Sequence, residues 1–498
     1  MKKKNKILLI NPCVKGNKLK SLSFTVTLPM ALLSLASTLT NRYEVIILDR
    51  AVKNDDKTLL EILEDSSLIC VGISVLTGPP IADAIYCSQL IKKTKKNVKI
   101  VWGGWHVTKA PKSVIQEDFV DYIVRGEGEE AFPKLLYCIE NDDLDKKIPG
   151  LGYKENNEIV INEMAQLLDV DELPELPYEL IDNIEPYIRK DWPPGAKRAI
   201  CMETSRGCPM GCAYCEIPSH FNKNYSAKSA DKVVLTIKKL IKLFNIDGVL
   251  FQDPNFFLQI ERVKEFSKQL ISNNIDIKWS GDGTILQFKQ IKEEDIKLFY
   301  CSGLRSFTTG IESGSEKVRF NLLNKKFTNL ECKTVLNKLN SAGINVRFNM
   351  IIGLPGETIE DTKQSVDFVL NILSEYQNTL MGRYMFIYLP LPGTPLSNLA
   401  IKKGYIPPTK LVDFIEYDFI IRKKIKIPWL TMKQTKIIET ISAMSAFLTS
   451  NGKDIPLPKI WRVPFKIARR VYLFRLKKHI FYKTPDIHIL QRLLHYAP

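Results

Sequence analysis

No window of this 498-residue sequence approaches the roughly 18 consecutive apolar residues that a membrane-spanning helix needs, so an integral membrane protein is not expected. An export signal is missing as well. The start, MKKKNKILLINP, has a basic lead, but its apolar run Ile7–Ile10 ends at Asn11-Pro12, short of the about 7–15 residues of a signal core. It reads instead as a lead into a buried strand. Without export, ten cysteines do not build a secreted disulfide framework. The expected location is the reducing cytoplasm, where clustered cysteines point to metal. An even spread of positive charge is also lacking. The chain carries 71 Lys/Arg against 55 Asp/Glu, net +16, yet residues 451–498 hold 11 against 2 and the first 450 hold 60 against 53. A body so mildly basic gives no reason to expect a nucleic-acid partner, and the tail needs its own account. What is present is globular in proportion, 45% hydrophobic and 25% charged, and long enough for about three domains.

Residues 1–145 alternate short apolar runs with helical stretches. Lys6–Ile10, Glu44–Leu48, Leu68–Val75, Val98–Trp102 and Tyr122–Val124 read as strands, with helices such as Pro29–Leu39 and Ile81–Lys93 between them. This rhythm predicts an α/β fold with a Rossmann-like parallel sheet, which binds ligands where its strands end. The turns at those ends carry Thr77-Gly78, Gly103-Gly104-Trp105-His106 and Gly126-Glu127-Gly128-Glu129. Residues 146–195 form a linker, with a hairpin around Asn156-Asn157 and then the acidic, proline-rich run Asp169–Pro177. Residues 196–400 resume the strand–helix alternation. Strands are expected at Ala199–Thr204, Gly248–Phe251, Lys278–Ser280, Ser306–Gly310, Asn345–Ile352 and Tyr384–Leu389, six units and so a partial barrel. Residues 401–498 read as mainly helical and include the basic tail.

The first strand of the second repeat runs into CMETSRGCPMGCAYCEIP. Cys208, Cys212 and Cys215 are spaced C-x₃-C-x₂-C, bracketed by Gly207, Pro209 and Gly211. Thiolates suit zinc or an iron–sulfur cluster. Structural zinc normally closes with four ligands and no fourth lies nearby, so a cluster with one open iron is the better fit and zinc the alternative.

This spacing, with Tyr214 before the last cysteine, resembles the signature of the radical S-adenosylmethionine (SAM) superfamily. The earlier stretches TLPMALLSLASTL…YEVIILD, GGWHVTKAP and DYIVRGEGE resemble the cobalamin (B12)-binding domain often fused ahead of such barrels. The resemblance covers about residues 5–400. It implies a [4Fe–4S] cluster on Cys208, Cys212 and Cys215, with SAM on the open iron. It further implies Tyr214 beside the adenine, Gln252-Asp253 at the SAM amino group, Glu312 of GIESGS at the ribose hydroxyls and Arg347 at the SAM carboxylate. Asn11, Thr77, Gly103, Gly104, His106, Gly126 and Glu127, at the strand ends, become the expected cobalamin contacts. One family feature is missing. Some cobalamin domains carry D-x-H-x-x-G, whose histidine binds cobalt, whereas this chain reads Asn11-Pro12-Cys13-Val14-Lys15-Gly16. No histidine of that loop would reach cobalt.

The activity implied is radical methylation of an unactivated carbon of a small molecule, with an external flavodoxin- or ferredoxin-type electron donor. Cyclisation or oxidation by the same radical chemistry is the first alternative, and a non-enzymatic module with a structural cysteine site the second. In the tail, Trp461–Lys478 places Val463, Ile467, Val471 and Phe474 on one helical stripe beside Arg462, Lys466, Arg469, Arg470 and Lys477. Packing on the barrel through that stripe is the preferred expectation, ahead of peripheral membrane contact and of an acidic partner or RNA.

Overall fold

The computed structural model describes residues 4–14, 26–382, 384–417, 427–448 and 462–482. The tail on either side of the last span lies outside the described residues, as do the side chains of Arg462 and Val463.

The first sheet has seven strands: β1 (Lys6–Asn11), β2 (Glu44–Asp49), β3 (Leu68–Ser74), β4 (Lys99–Gly103), β5 (Tyr122–Val124), β6 (Leu151–Glu155) and β7 (Glu158–Ile161). Their order is β2-β1-β3-β4-β5-β6-β7, parallel through β5. The run Ile7–Ile10 is wholly buried, as a central parallel strand covered on both faces should be. The hairpin in the linker is not free-standing. It continues this sheet, β6 pairing antiparallel with β5 and β7 with β6, and so covers what would be an open edge. Asn156 and Asn157 both take left-handed backbone (φ 50° and 64°), as a two-residue hairpin turn demands.

The second sheet contains β8 (Ala199–Met202), β11 (Gly248–Phe251), β12 (Lys278–Gly283), β13 (Leu304–Glu312), β14 (Asn345–Ile352) and β15 (Thr379–Met381), parallel in that spatial order. A small antiparallel pair, β9 (Ser205–Gly207) and β10 (Tyr225–Ala227), stands apart, and β16 (Phe386–Ile387) also pairs with β14. The sheet is the expected partial barrel. One detail differs: the edge position falls to β15, and the run Tyr384–Leu389 contributes only the short β16.

The described residues beyond 390 pack on both sheets. Helix Pro395–Lys402 and the turn Leu411–Glu416 join the core of the first sheet, where Leu396, Leu411 and Phe414 are buried with Ile73, Ile81 and Trp102. Helices Met432–Ser445 and Arg462–Lys477 lie on the barrel side. The last helix corrects the expected stripe. Phe465, Tyr472 and Leu476 are buried, Phe465 and Tyr472 each 4.9 Å from the ring of Phe447, while Ile467, Val471 and Phe474 are 59%, 47% and 57% exposed. Packing of the two aromatic rings on Phe447 turns that face inward. No helix among the described residues is long and apolar enough to cross a membrane.

Candidate active site

The cysteine loop leaves β9 through Gly207, whose φ of +77° and position require glycine: a Cβ there would sit 2.1 Å from the Asn224 carbonyl oxygen. The loop is pinned from behind. The Ala213 N–H donates to the Leu323 carbonyl (3.0 Å), and the Asn324 amide donates to that of Gly211 (2.8 Å). Burial pushes all three thiols up, Cys215 to about 12, and at Cys212 and Cys215 the neighbouring thiolates add to the rise. Three such groups held near one another favour a cationic core that would discharge them. Among the described residues, no three Cys, His, Asp or Glu side chains are grouped closely enough to hold a single ion. Soft thiolate donors suit an iron–sulfur cluster.

At the loop's rim the Tyr214 hydroxyl donates to Glu312 Oε1 (2.6 Å), and burial with this carboxylate raises the phenol well above its usual range. Glu312 ends β13 with φ +71°, a left-handed conformation rare for a side chain of its size. Lys325 Nζ lies 3.4 Å from the same oxygen. Gln252 is exposed at the end of β11, its amide 3.2 Å from the Cys201 sulfur. Arg347 sits 4.3 Å over the Trp192 ring. Asp253 departs from expectation. Its carboxylate accepts from the Thr204 N–H (2.7 Å), the Thr204 hydroxyl (2.6 Å) and the Ser205 hydroxyl (2.7 Å), and it is buried. It fastens the start of the cysteine loop through Thr204 and Ser205.

The expected cobalamin contacts divide in the same way. Glu127 is wholly engaged: Oε1 takes Arg206 Nη1 (2.7 Å) and Oε2 the Leu168 N–H (2.6 Å). Asn11 donates to Asp49 (2.9 Å). His106 is fully buried, with Nδ1 3.2 Å from the Thr77 hydroxyl and its ring 4.7 Å from Phe414; burial pushes it down to about 4, so it is neutral and packed within its turn. Asn11 and Glu127 are thus engaged by neighbouring protein groups, and Thr77 faces His106, whose Nε2 is buried without a hydrogen-bond partner among the described residues. Of the glycines, Gly104 is closed in by Val75, where a Cβ would come within 2.9 Å of the backbone nitrogen, while Gly103 and Gly126 remain open. A Cβ at Gly103 would approach only the Val124 carbonyl, at 3.5 Å, and one at Gly126 only the flexible Met164. Bare backbone at adjoining strand ends fits a broad, flat ligand.

Several residues at the site gave no signal in the sequence. Arg206, two positions before Cys208, pairs with Glu127 (2.7 Å), Glu129 (2.8 Å) and Glu203 (2.9 Å) and donates to the Ser34 hydroxyl (2.9 Å). It thereby joins the barrel to the turn after β5. Beside it Trp105 stacks on His220 (4.0 Å) and Lys109 donates to Ser219 (2.8 Å), so the turn after β4 lies against the helix Ile217–His220 that follows the cysteines. Asn255 is buried beside Cys208, with neither amide atom in a regular hydrogen bond. Asp282, Thr308 and Arg347 are register partners across β12, β13 and β14. Asp282 is packed round by protein yet keeps open surface, as a lumen residue would, and burial pushes its carboxyl up to about 7 against Thr308 and Arg347, which pull it down. Only its place between two glycines, in SGDG at a strand end, hinted at this.

The sequence matches the family model of the radical SAM superfamily over residues 202–369 and that of the B12 binding domain over residues 23–136. It is 28% identical over 404 residues to an uncharacterized methyltransferase, PH0819, of Pyrococcus horikoshii, covering 80% of this chain and 84% of the relative. It is 28% identical over 331 residues to the anaerobic magnesium-protoporphyrin IX monomethyl ester cyclase of Cereibacter sphaeroides, covering 65% of this chain but only 51% of the cyclase. In fold it is similar to the cobalamin-dependent SAM radical enzyme OxsB with aqua-cobalamin bound (TM-score 0.72, 17% identity, 98% of this chain and 74% of that one). With both family models matched in this order along one chain, the protein belongs to the radical SAM superfamily, as a member carrying a B12-binding domain ahead of its barrel.

Proposed function

We propose that the protein is a cobalamin-dependent radical SAM enzyme that methylates an unactivated carbon of a small molecule. The observation that carries this reading is the direct abutment of the two cofactor regions. The turns after β4 and β5 touch both flanks of the cysteine loop, through Trp105–His220, Lys109–Ser219 and Arg206–Glu127. When bound, the cluster with SAM supplies hydrogen-atom abstraction and methylcobalamin supplies the methyl group. The chain's own residues orient and enclose. Cys208, Cys212 and Cys215 would hold the cluster, Tyr214 would flank the adenine, and Glu312, with one oxygen held by Tyr214, would offer the other to the ribose hydroxyls. Gln252 and Arg347 are assigned to the SAM amino and carboxylate groups. Gly103 and Gly126 would leave the corrin an uncluttered floor, and Gly104 lets the turn close against Val75.

Anaerobic purification followed by iron, sulfide and cobalt analysis tests the cofactors, and reduction with dithionite in the presence of SAM should release 5′-deoxyadenosine. Zinc in place of iron, with no 5′-deoxyadenosine, would sink the reading in favour of a structural metal module. Cyclisation is the second reading, favoured by the similarity to the cyclase. Product mass separates the two, because methylation adds one CH₂ unit traceable to labelled SAM.

The working context proposed is cytoplasmic, with electrons from a flavodoxin- or ferredoxin-type donor. The exposed Ile467, Val471 and Phe474, beside exposed Lys466, Arg470 and Lys477, support peripheral contact with anionic lipid. Flotation with anionic vesicles checks it; equal recovery of the protein and of Phe474→Glu discards it.

A further inference from the structure

Lys325 is a buried ammonium, 8% exposed, placed behind the cysteine loop. Asn324 takes left-handed backbone (φ 55°), and the chain folds back so that the Lys325 N–H reaches the Arg319 carbonyl (2.8 Å). Its neighbours Leu323 and Asn324 are the residues that pin Ala213 and Gly211, so the lysine is tied to the loop by its own flanks. The ammonium donates to the Gly310 carbonyl (2.6 Å), lies 3.4 Å from Glu312 and sits 5.7 Å over the Tyr214 ring. Gly310 makes the room: a Cβ there would come within 2.9 Å of Nζ.

The carboxylate beside it is shared with the Tyr214 hydroxyl, which donates to the same oxygen. The two residues before Lys325 hold Gly211 and Ala213, one on each side of Cys212, and its ammonium lies over the ring of Tyr214, next to Cys215, so the charge is fixed against the loop. The next residue, Lys326, is exposed and bonds only to the Phe320 carbonyl. A charge held in low dielectric acts on its neighbours far more strongly than one in water.

We propose that Lys325 raises the reduction potential of the cluster bound by Cys208, Cys212 and Cys215, by fixing a buried positive charge against that site. Reduction adds one electron to the cluster, and a fixed cation nearby stabilises the reduced form. The inference rests on the [4Fe–4S] reading of the loop. It makes Lys325 a positioning residue for charge, without contact to substrate.

The test is a redox titration of the reconstituted full-length protein, followed by electron paramagnetic resonance and without SAM, so that ribose binding at Glu312 does not enter. Lys325→Gln should move the midpoint to more negative potential, Lys325→Arg should restore it, and Lys326→Gln should leave it at the wild-type value. A Lys325→Gln midpoint equal to that of Lys326→Gln overturns the inference. Should Lys325→Gln assemble no cluster, Glu312→Gln gives the opposite arm: with the lysine's charge uncovered the midpoint should rise, and an unmoved or lower value overturns the inference equally. Wild-type protein that binds no iron would instead sink the [4Fe–4S] reading itself.

Discussion

Two buried cations bracket the cysteine loop, and they are furnished in opposite ways. Arg206 precedes it, and three carboxylates share its guanidinium; burial opposes its charge, yet Glu129, Glu203 and Glu127 hold it firmly protonated. Burial alone would raise Glu129, but Arg206 keeps it below the usual carboxylate range. Lys325 lies behind the loop with one shared carboxylate and one carbonyl. Arg206, outnumbered by carboxylates drawn from both domains, acts as a fastener between them. A cation with a shared partner keeps its field, so Lys325 acts on charge. The same kind of residue, at the same loop, does mechanical or electrostatic work according to how completely it is neutralised.

The largest effect expected is from Arg206→Met, which strands buried Glu127 and Glu129 without their partner. A loss of about 3–5 kcal/mol is expected, from one partner removed from a buried ion cluster, read as a lower unfolding temperature. Lys325→Gln should cost less, about 1–3 kcal/mol as for one buried group left short of a donor, because Tyr214 still serves Glu312. Equal destabilisation by the two would erase the distinction between them. His220 gives a smaller, pH-dependent probe of the Arg206 side. Burial, with Lys109 and then Arg206, pushes this imidazole from 6.5 down to about 3. The folded state therefore holds it neutral. Its stabilising share is complete above about pH 6.5 and is lost as pH falls towards 3. His220→Gln should flatten that acid limb of the unfolding temperature, and an unchanged limb would show that the ring carries no linkage. The smallest effect belongs to the far helix: Ile467→Ser should stay within about 0.5 kcal/mol, as exposed substitutions do, and sets the baseline for the others in calorimetry.

Much of this architecture was legible because it is local. Buried runs such as Ile7–Ile10, turn glycines and the C-x₃-C-x₂-C spacing are written in neighbouring residues. What was not legible is who takes whose charge. Asp253 and Glu127 sit where ligand-binding carboxylates sit, yet Thr204, Ser205 and Arg206 reach them from 48 or more positions away and use them up. Lys325 and Asp282 hid for the same reason: their meaning arises from the fold around them. The last helix misled through periodicity, since two apolar stripes of similar spacing compete and only the tertiary partner Phe447 chooses between them.

The first domain is completed by residues made long after it. Phe414 closes over His106, and a Cβ on Gly78 would strike the Tyr417 carbonyl at 2.5 Å, so the segment near residue 414 is part of the wall of the B12-binding region. At about 5–20 residues added per second, a nascent chain would wait roughly 15–60 s between finishing the fifth strand and receiving that wall. During this interval the part of the cluster around Ile81 and Trp102 that Leu396, Leu411 and Phe414 complete stays uncovered. Folding on the ribosome is thus a two-stage closure, and a fragment ending near residue 150 is expected to be sticky, however well its sheet forms.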